Sequence, residues 1–172
     1  EGKGKIVDLL SRKVDVVVRF GGGANAGHTL VVGGEKVVLH LLPSGVLHGM
    51  GKRYVLGDAM VLDPEVLVRE IQFCNDRKLL DSSNLLLGHR AHVVLPYHKV
   101  LDALREKGTM SIGTTKRGIG PAYEAKAARM GVHLADLTNQ EVLLQKIQQQ
   151  YEWLSPWVNA KGEQLEPPLQ VA

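Results

Sequence analysis

The sequence predicts an α/β fold, and three observations carry that expectation. β-branched apolar runs, such as VDVVVRF at 14–20, alternate with segments whose apolar residues recur at helical spacing. Two of these runs end in glycine clusters, at 21–23 and 33–34, the punctuation expected where a strand hands over to a ligand loop or a hairpin. The helical segments are bracketed by capping residues, so strands and helices follow one another along the chain as in βα units. No internal repeat is visible.

The elements follow in order. EGKGKIVDLL opens with alternating glycine and lysine, and 6–12 reads as a short helix behind them. Glycine admits close backbone approach and lysine brings positive charge, so the stretch suggests a phosphate site, although the Walker A pattern GxxxxGK[ST] is absent. A phosphate loop is entered from a strand. None stands before Glu1, and the first residue is not Met, so residues are expected ahead of it. Residues 14–20 read as a buried strand. HTLVV and EKVVLHLL flank Gly33-Gly34 and read as a hairpin. YVLGDAMVLD is a further strand, interrupted by Gly57. DPEVLVREIQFCNDR is the clearest helix, with Asp63 as N-cap, Pro64 in the first position and Glu65 in the first turn. NLLLGHRAHVVL reads as a strand pair or one long strand, and YHKVLDALREKG as a helix closed by Gly108. SIGTTKRGIGPAYEAKAARMG is a glycine-rich loop running into a helix. Residues 139–153 form a helix rich in Gln and Leu, and after Ser155 the chain turns polar with no closing element.

Composition excludes several classes. At 172 residues, 44% hydrophobic and 23% charged, the chain suits a globular domain with a real core. A net charge of +3, with no block of like charges and only 5% aromatic residues, fits an anionic small molecule and gives no platform for nucleic acid. Cys74 is the one cysteine, so there is no disulfide framework and a cytoplasmic location is expected. On the apolar side of its helix it reads as a small buried hydrophobe. No apolar run reaches the ~20 residues that span a membrane, and the first residues lack the order of a signal peptide.

Two stretches carry chemistry. GGGANAGHT, 21–29, follows a strand, where α/β folds place ligands. Gly27 offers backbone groups to a metal or a phosphate, Asn25 an amide, and His28 a proton donor or acceptor near neutral pH. In IGTTKRGIGPAYEAKAAR, 112–129, Thr114 and Thr115 offer hydroxyls, loop N–H groups can converge on an anion, and Lys116 and Arg117 add charge. Arg129, further down the helix, points away from the loop and could reach a different site, one in a partner subunit among them. Other residues read plainly. His40 is a packed histidine in an apolar strand. His89, His92 and His98 lack metal-ligand spacing. Asp63 is a cap.

Taken in order, EGKGKIVDLL, GGANAGHT, VVLHLLPSG, YVLGDAMVLDP, AHVVLPYHKVLD and IGTTKRGIGPAYEAKAAR resemble the adenylosuccinate synthetase family, over 1 to about 137. The resemblance implies a P-loop-NTPase-like fold with a mixed, mainly parallel sheet and flanking helices, incomplete here. Residues 1–137 would be the N-terminal part of the synthetase domain and 138–172 a divergent tail of it. It implies a GTP-dependent ligase of AMP synthesis that joins IMP and L-aspartate through 6-phosphoryl-IMP, with Mg²⁺, as a cytoplasmic homodimer. His28 matches the general acid. Glu1, Gly2, Lys3, Gly4, Gly27, His28 and Thr29 match GTP-binding positions. Glu1, Gly2, Lys3, Asn25, Ala26, Gly27, His28, Thr115 and Arg129 match IMP-binding positions, Arg129 reaching the neighbouring subunit. Gly27 matches the position whose carbonyl holds Mg²⁺.

The family pattern WGDEGKGK places its catalytic base, an aspartate, directly before the residue that is Glu1 here. The chain is therefore expected to be a piece of the enzyme without activity of its own. A nucleotide-binding module without chemistry and a non-functional truncated product are the alternatives. Gly21 stands where the family usually has Gln, Lys116 where bacterial members have Gly, and Ala125 where Asp is common.

Overall fold

The computed structural model describes residues 3–32, 35–49, 51–107 and 111–172. The chain divides into two compact units, Glu1–Ala91 and His92–Ala172.

The first unit contains α1 (Lys3–Ser11), β1 (Val16–Gly22), β2 (His28–Val32), β3 (Glu35–Leu39), a 3-10 turn (Ser44–His48), β4 (Arg53–Leu62), α2 (Pro64–Asp76) and β5 (Leu85–Leu87). β1, β4 and β5 lie parallel in that order, with Val16 opposite Arg53 and Tyr54 opposite Leu85. β2 and β3 form the expected antiparallel pair, from His28 opposite Leu39 to Val32 opposite Glu35. Gly33 and Gly34 of their turn lie outside the described residues, as do Glu1 and Gly2. The result is the mixed α/β class with a mainly parallel sheet and flanking helices. Helix α1 begins at Lys3, so Lys3 and Gly4 lie in its first turn and not in a loop ahead of it.

β1 departs from the expected buried strand. Only Val17 is buried, whereas Val16 and Val18 are exposed and Phe20 is 77% exposed. The reason is topological: β1 ends the β1-β4-β5 order, and among the described residues no strand pairs with its other edge. Its register with β4 slips between Arg19 and Gly21, which face Leu56 and Ala59. Gly57 makes this bulge possible, since a Cβ there would sit 3.1 Å from the Phe20 Cα. The core gathers Leu39, Leu41, Leu42, Val46, Tyr54, Leu56, Met60, Val61 and Leu62.

Asp63 caps α2 as predicted, its Oδ1 accepting from the Glu65 N–H at 3.1 Å and facing the Val66 N–H at 3.5 Å. Cys74 is fully buried, and burial pushes its thiol up to about 12, so it behaves as a small hydrophobe. The segment expected to be a strand pair or a long strand resolves into two short strands, β5 and, in the second unit, β6 (His92–Val93).

The second unit adds α3 (Pro96–Glu106), α4 (Ile119–Ala127), a 3-10 turn (Leu134–Thr138), α5 (Gln140–Asn159) and α6 (Pro168–Val171). Gly108, the expected stop of α3, lies outside the described residues. Leu143, Ile147, Gln150, Leu154 and Val158 line one face of α5 at helical spacing and are buried. That face continues past the expected end at 153. Pro156 lies inside the helix but is exposed, so the hydrogen bond it removes faces water while Leu154 and Val158 hold the core side. The tail does close: Leu165 packs into this core, and the short α6 follows.

One buried polar chain ties the helices together. The Leu95 N–H donates to His98 Nδ1 at 3.0 Å, His98 Nε2 lies 3.1 Å from Gln150 Oε1, and Gln150 Nε2 donates to the Met130 carbonyl at 3.1 Å. His98 is 1% exposed, and burial holds its imidazole down at about 4, against an ordinary 6.5, with the Gln150 bond opposing. Among the described residues no helix is long and apolar enough to cross a membrane.

The folded state therefore binds fewer protons than the unfolded state between these two values. The His98 contribution is complete above pH 6.5 and is lost as pH falls towards 4. Urea titrations at pH 7 and pH 5 should differ by about 2 kcal/mol from this group. His98→Gln should flatten the dependence, and an unchanged pH slope in that variant would refute the assignment.

Candidate functional site

The sequence of the first unit builds a site around three consecutive peptides. β3 ends at Leu39, and the His40, Leu41 and Leu42 N–H groups lie beyond it. Glu70, on the core face of α2 and 6% exposed, accepts from all three: His40 at 2.5 Å, Leu41 at 3.0 Å and Leu42 at 2.9 Å. From β1, the Arg19 guanidinium donates to the carbonyls of His40 and Leu41, the latter at 3.1 Å, and to the Gly23 carbonyl at 2.8 Å. One carboxylate and one guanidinium thus bind this peptide segment and the end of the glycine cluster. Gly22 turns the chain there at φ +87°.

The loop then leads into β2. His40 Nδ1 lies 3.3 Å from the Ala26 carbonyl, which puts this expected packed histidine directly behind the loop. Gly27 is closely packed: a Cβ would meet Val38 Cγ1 at 2.7 Å and His40 Cε1 at 3.0 Å, so those side chains would have to shift. Asn25, Ala26, Gly27 and Thr29 are exposed, and His28, the first residue of β2, is half-buried. A cleft of about 550 Å³ opens beside it, lined by Val7, Val17, Phe20, Arg19, His28 and Ser44 among others. Burial lowers the His28 imidazole below its ordinary value, and the Arg19 charge adds to the effect. Glu70 opposes it and His40 reinforces it. Burial and the Arg19 charge both favour the neutral imidazole at neutral pH. Apolar walls with a cation and an imidazole at one end suit a flat heterocycle carrying an anionic group.

The second glycine-rich loop lies in the second unit. Its N–H groups converge on an anion, as expected, but that anion is the chain's own Glu106. Its carboxylate accepts from Ser111 Oγ at 2.7 Å and from the N–H groups of Ile112 and Gly113, both at 3.1 Å. The Ser111 hydroxyl leads in holding this exposed carboxyl down at about 2. Thr115 is exposed. Lys116, at φ +55°, sits in the left-handed region, which explains why glycine suits this position. Gly118, at φ +73°, donates its N–H to Asp102 Oδ2 at 2.9 Å. Arg129, just past α4, is exposed and holds φ +60°.

The structure thus places Asn25, Ala26, Gly27, His28 and Thr29 in one loop-and-strand corner, and Thr115 and Arg129 in the other unit. Sequence reading missed Arg19 and Glu70. Both left a signal. Arg19 is the charged residue of β1, among valines, and Glu70 shares the apolar face of α2 with the buried Leu67 and Cys74. Among the described residues no three His, Cys, Asp or Glu side chains converge as a metal site.

A family model for adenylosuccinate synthetase matches residues 1–168. The adenylosuccinate synthetases of Myxococcus xanthus and Pelobacter propionicus are 57% and 53% identical over 151 and 152 residues, or 86% and 87% of this chain. The chain spans about a third of the length of these relatives, 34% and 35%. The fully ligated adenylosuccinate synthetase of Plasmodium falciparum is similar with a TM-score of 0.84 at 38% identity, covering 99% of this chain and 39% of that one. The succinoaminodeoxyadenylate synthetase of cyanophage S-2L, solved with dGMP and with dATP as an energy donor, has a TM-score of 0.60 at 31% identity. It covers 74% of this chain and 35% of that one.

Backbone geometry in the second loop yields a paired test. Lys116→Gly relieves a left-handed lysine and should raise stability by about 0.5–1 kcal/mol, the relief exceeding the added chain entropy. Gly118→Ala should cost more than about 2 kcal/mol, because its Cβ would lie 2.7 Å from the His98 carbonyl carbon and 2.8 Å from the Lys99 nitrogen. Thermal melts of the two variants should move in opposite directions.

Proposed function

The chain belongs to the adenylosuccinate synthetase family, and on that premise we propose that it forms the part of such an enzyme that grips IMP and the phosphates of GTP. The reaction is the GTP-dependent joining of IMP and L-aspartate through 6-phosphoryl-IMP. The supporting observation is His28, half-buried at the edge of an apolar cleft that it shares with Arg19. In this reading Asn25, Ala26, Gly27 and His28 belong to the IMP site with Glu1, Gly2 and Lys3. Thr115 and Arg129, in the second unit, are read as further IMP-binding positions, Arg129 serving the neighbouring subunit of a homodimer. Glu1, Gly2, Lys3, Gly4 and Gly27, His28 and Thr29 take the GTP phosphates. Residues 1–137 and 138–172 are parts of one synthetase domain, in a cytoplasmic protein.

His28 acts as the general acid near O6 of IMP and the transferring phosphoryl group. Burial, and after it the Arg19 charge, favour its neutral ring. An anion arriving beside it favours the imidazolium, so the proton is drawn in with the substrate and stands where charge develops. Magnesium, the ion this chemistry calls for, would neutralise charge on the transferring phosphates. The Gly27 carbonyl would supply one ligand. The described residues bring no carboxylate cluster to it and do not form such a site by themselves.

IMP binding at pH about 7.5 should take up protons, read by calorimetry in two buffers of different ionisation enthalpy, and His28→Ala should abolish the uptake. In the enzyme that carries these residues, His28→Ala should lower kcat by about 100-fold or more with nucleotide Kd changed by less than about threefold. Equal losses in both would reject the general-acid role, and absence of IMP and GTP binding would reject the site.

A further inference from the structure

The loop that follows α3 presents its donors to an anion, and α3 supplies that anion from inside the chain. Glu106 is the last residue of the helix. Its Oε2 accepts from Ser111 Oγ at 2.7 Å and from the Gly113 N–H at 3.1 Å, and its Oε1 accepts from the Ile112 N–H at 3.1 Å. The Thr114 N–H adds to the effect of these donors. Gly113 takes the left-handed region at φ +76°, the turn that lets neighbouring amides face one point and form a concave nest. Cations are close at hand but are used elsewhere. Arg105 and Lys107 flank Glu106 in the chain, and they pair with Glu124 and Glu163. The Glu106 carboxylate takes the neutral donors of the loop.

Two features make this contact exchangeable. It stands in water: Ser111 and Gly113 are exposed, and Ile112, the apolar residue of the loop, is 85% exposed, so burial does not press the loop onto the helix. Its donors are also those an outside anion would use, a hydroxyl and consecutive amides, with the exposed Thr115 and Lys116 next in the chain. A phosphate group brings three acceptor oxygens and more charge than a carboxylate. Two such anions repel and cannot share one nest.

We propose that Glu106 is an internal competitor: the Ser111 hydroxyl and the amides of residues 112–114 form a site for a phosphate group, and the Glu106 carboxylate fills it until a phosphate displaces it. The reading of Thr115 as an IMP-binding position makes the natural ligand a nucleoside monophosphate, and only that identity rests on it. The competitor has two effects. It keeps the loop in the shape that receives the ligand. It also lowers affinity by the fraction of molecules in which the carboxylate occupies the nest.

The test is a titration of the chain with inorganic phosphate, followed by NMR at the amides of Ile112, Gly113 and Thr114. This probe needs neither base recognition nor the other IMP positions, so failure of IMP to bind would count against the functional reading and leave this result standing. Glu106→Gln and Glu106→Ala should each tighten phosphate binding about tenfold, the gain expected if the carboxylate fills the nest about nine-tenths of the time. The gain should survive added salt, because displacement is a contact effect, whereas longer-range attraction is screened. Unchanged or weaker binding in either variant would overturn the proposal and make Glu106 a brace that shapes the loop. A gain that vanishes in salt would overturn it as a general effect of charge. Absence of any shift at these three amides, in parent and variants alike, would remove the site itself.

Discussion

Three N–H groups in a row, at His40, Leu41 and Leu42, impose the constraint on which the first unit depends. Leu41 and Leu42 are fully buried, so water cannot serve their amides, and each one left unpaired would cost about 1–3 kcal/mol. A carboxylate offers about four acceptor sites and is the one side chain able to satisfy all three. Glu70 does so from α2, and its burial is compensated by these charge-assisted bonds. Arg19 binds two carbonyls of the same segment. The consequences run outward. The Pro43–Ser44–Gly45 turn that follows is fixed under the cleft, Gly45 pressing on Ser11 of α1. The Tyr54 hydroxyl lies 3.0 Å from the carbonyls of Gly45 and Gly49.

The second unit follows the same rule by different means. His98, Gln150 and Met130 form a relay in which each buried polar group has its partner. Asp102 reaches across to the Gly118 N–H at the start of α4, where the left-handed glycine lets α4 approach the backbone of α3. Glu106, in the last turn of α3, gathers the amides of the glycine-rich loop. In each case an irregular segment is held by an acid or an imidazole from a helix, because its own backbone has no ladder to join.

Much of this was legible in the sequence. Asp63-Pro64 starts α2 where it should, because capping is a contact between near neighbours. The β2–β3 pair flanks its two glycines. NAGHT follows the end of a strand, with Gly27, where an added Cβ would crowd the Val38 and His40 side chains, next to His28 at the start of β2. What escaped was of another kind. β1 reads as buried because its composition is that of a central strand, yet it ends the strand order. The α5 helix runs through Pro156, since a proline on the wet side costs less than the burial of Leu154 and Val158 gains.

The sequence by itself determined the order of strands and helices, their caps, the two glycine-rich loops and the family. These depend on torsional preference and on spacing over a few residues, and both are written locally. Only the tertiary structure decided that Arg19 and Glu70 close on the same segment, that burial and Arg19 lower the His28 imidazole below its ordinary value, and that the loop after α3 already holds an anion in Glu106. A segment outside any ladder takes its hydrogen-bond partners from whichever element packing brings beside it. That choice is made by the burial of apolar faces, which no local pattern states.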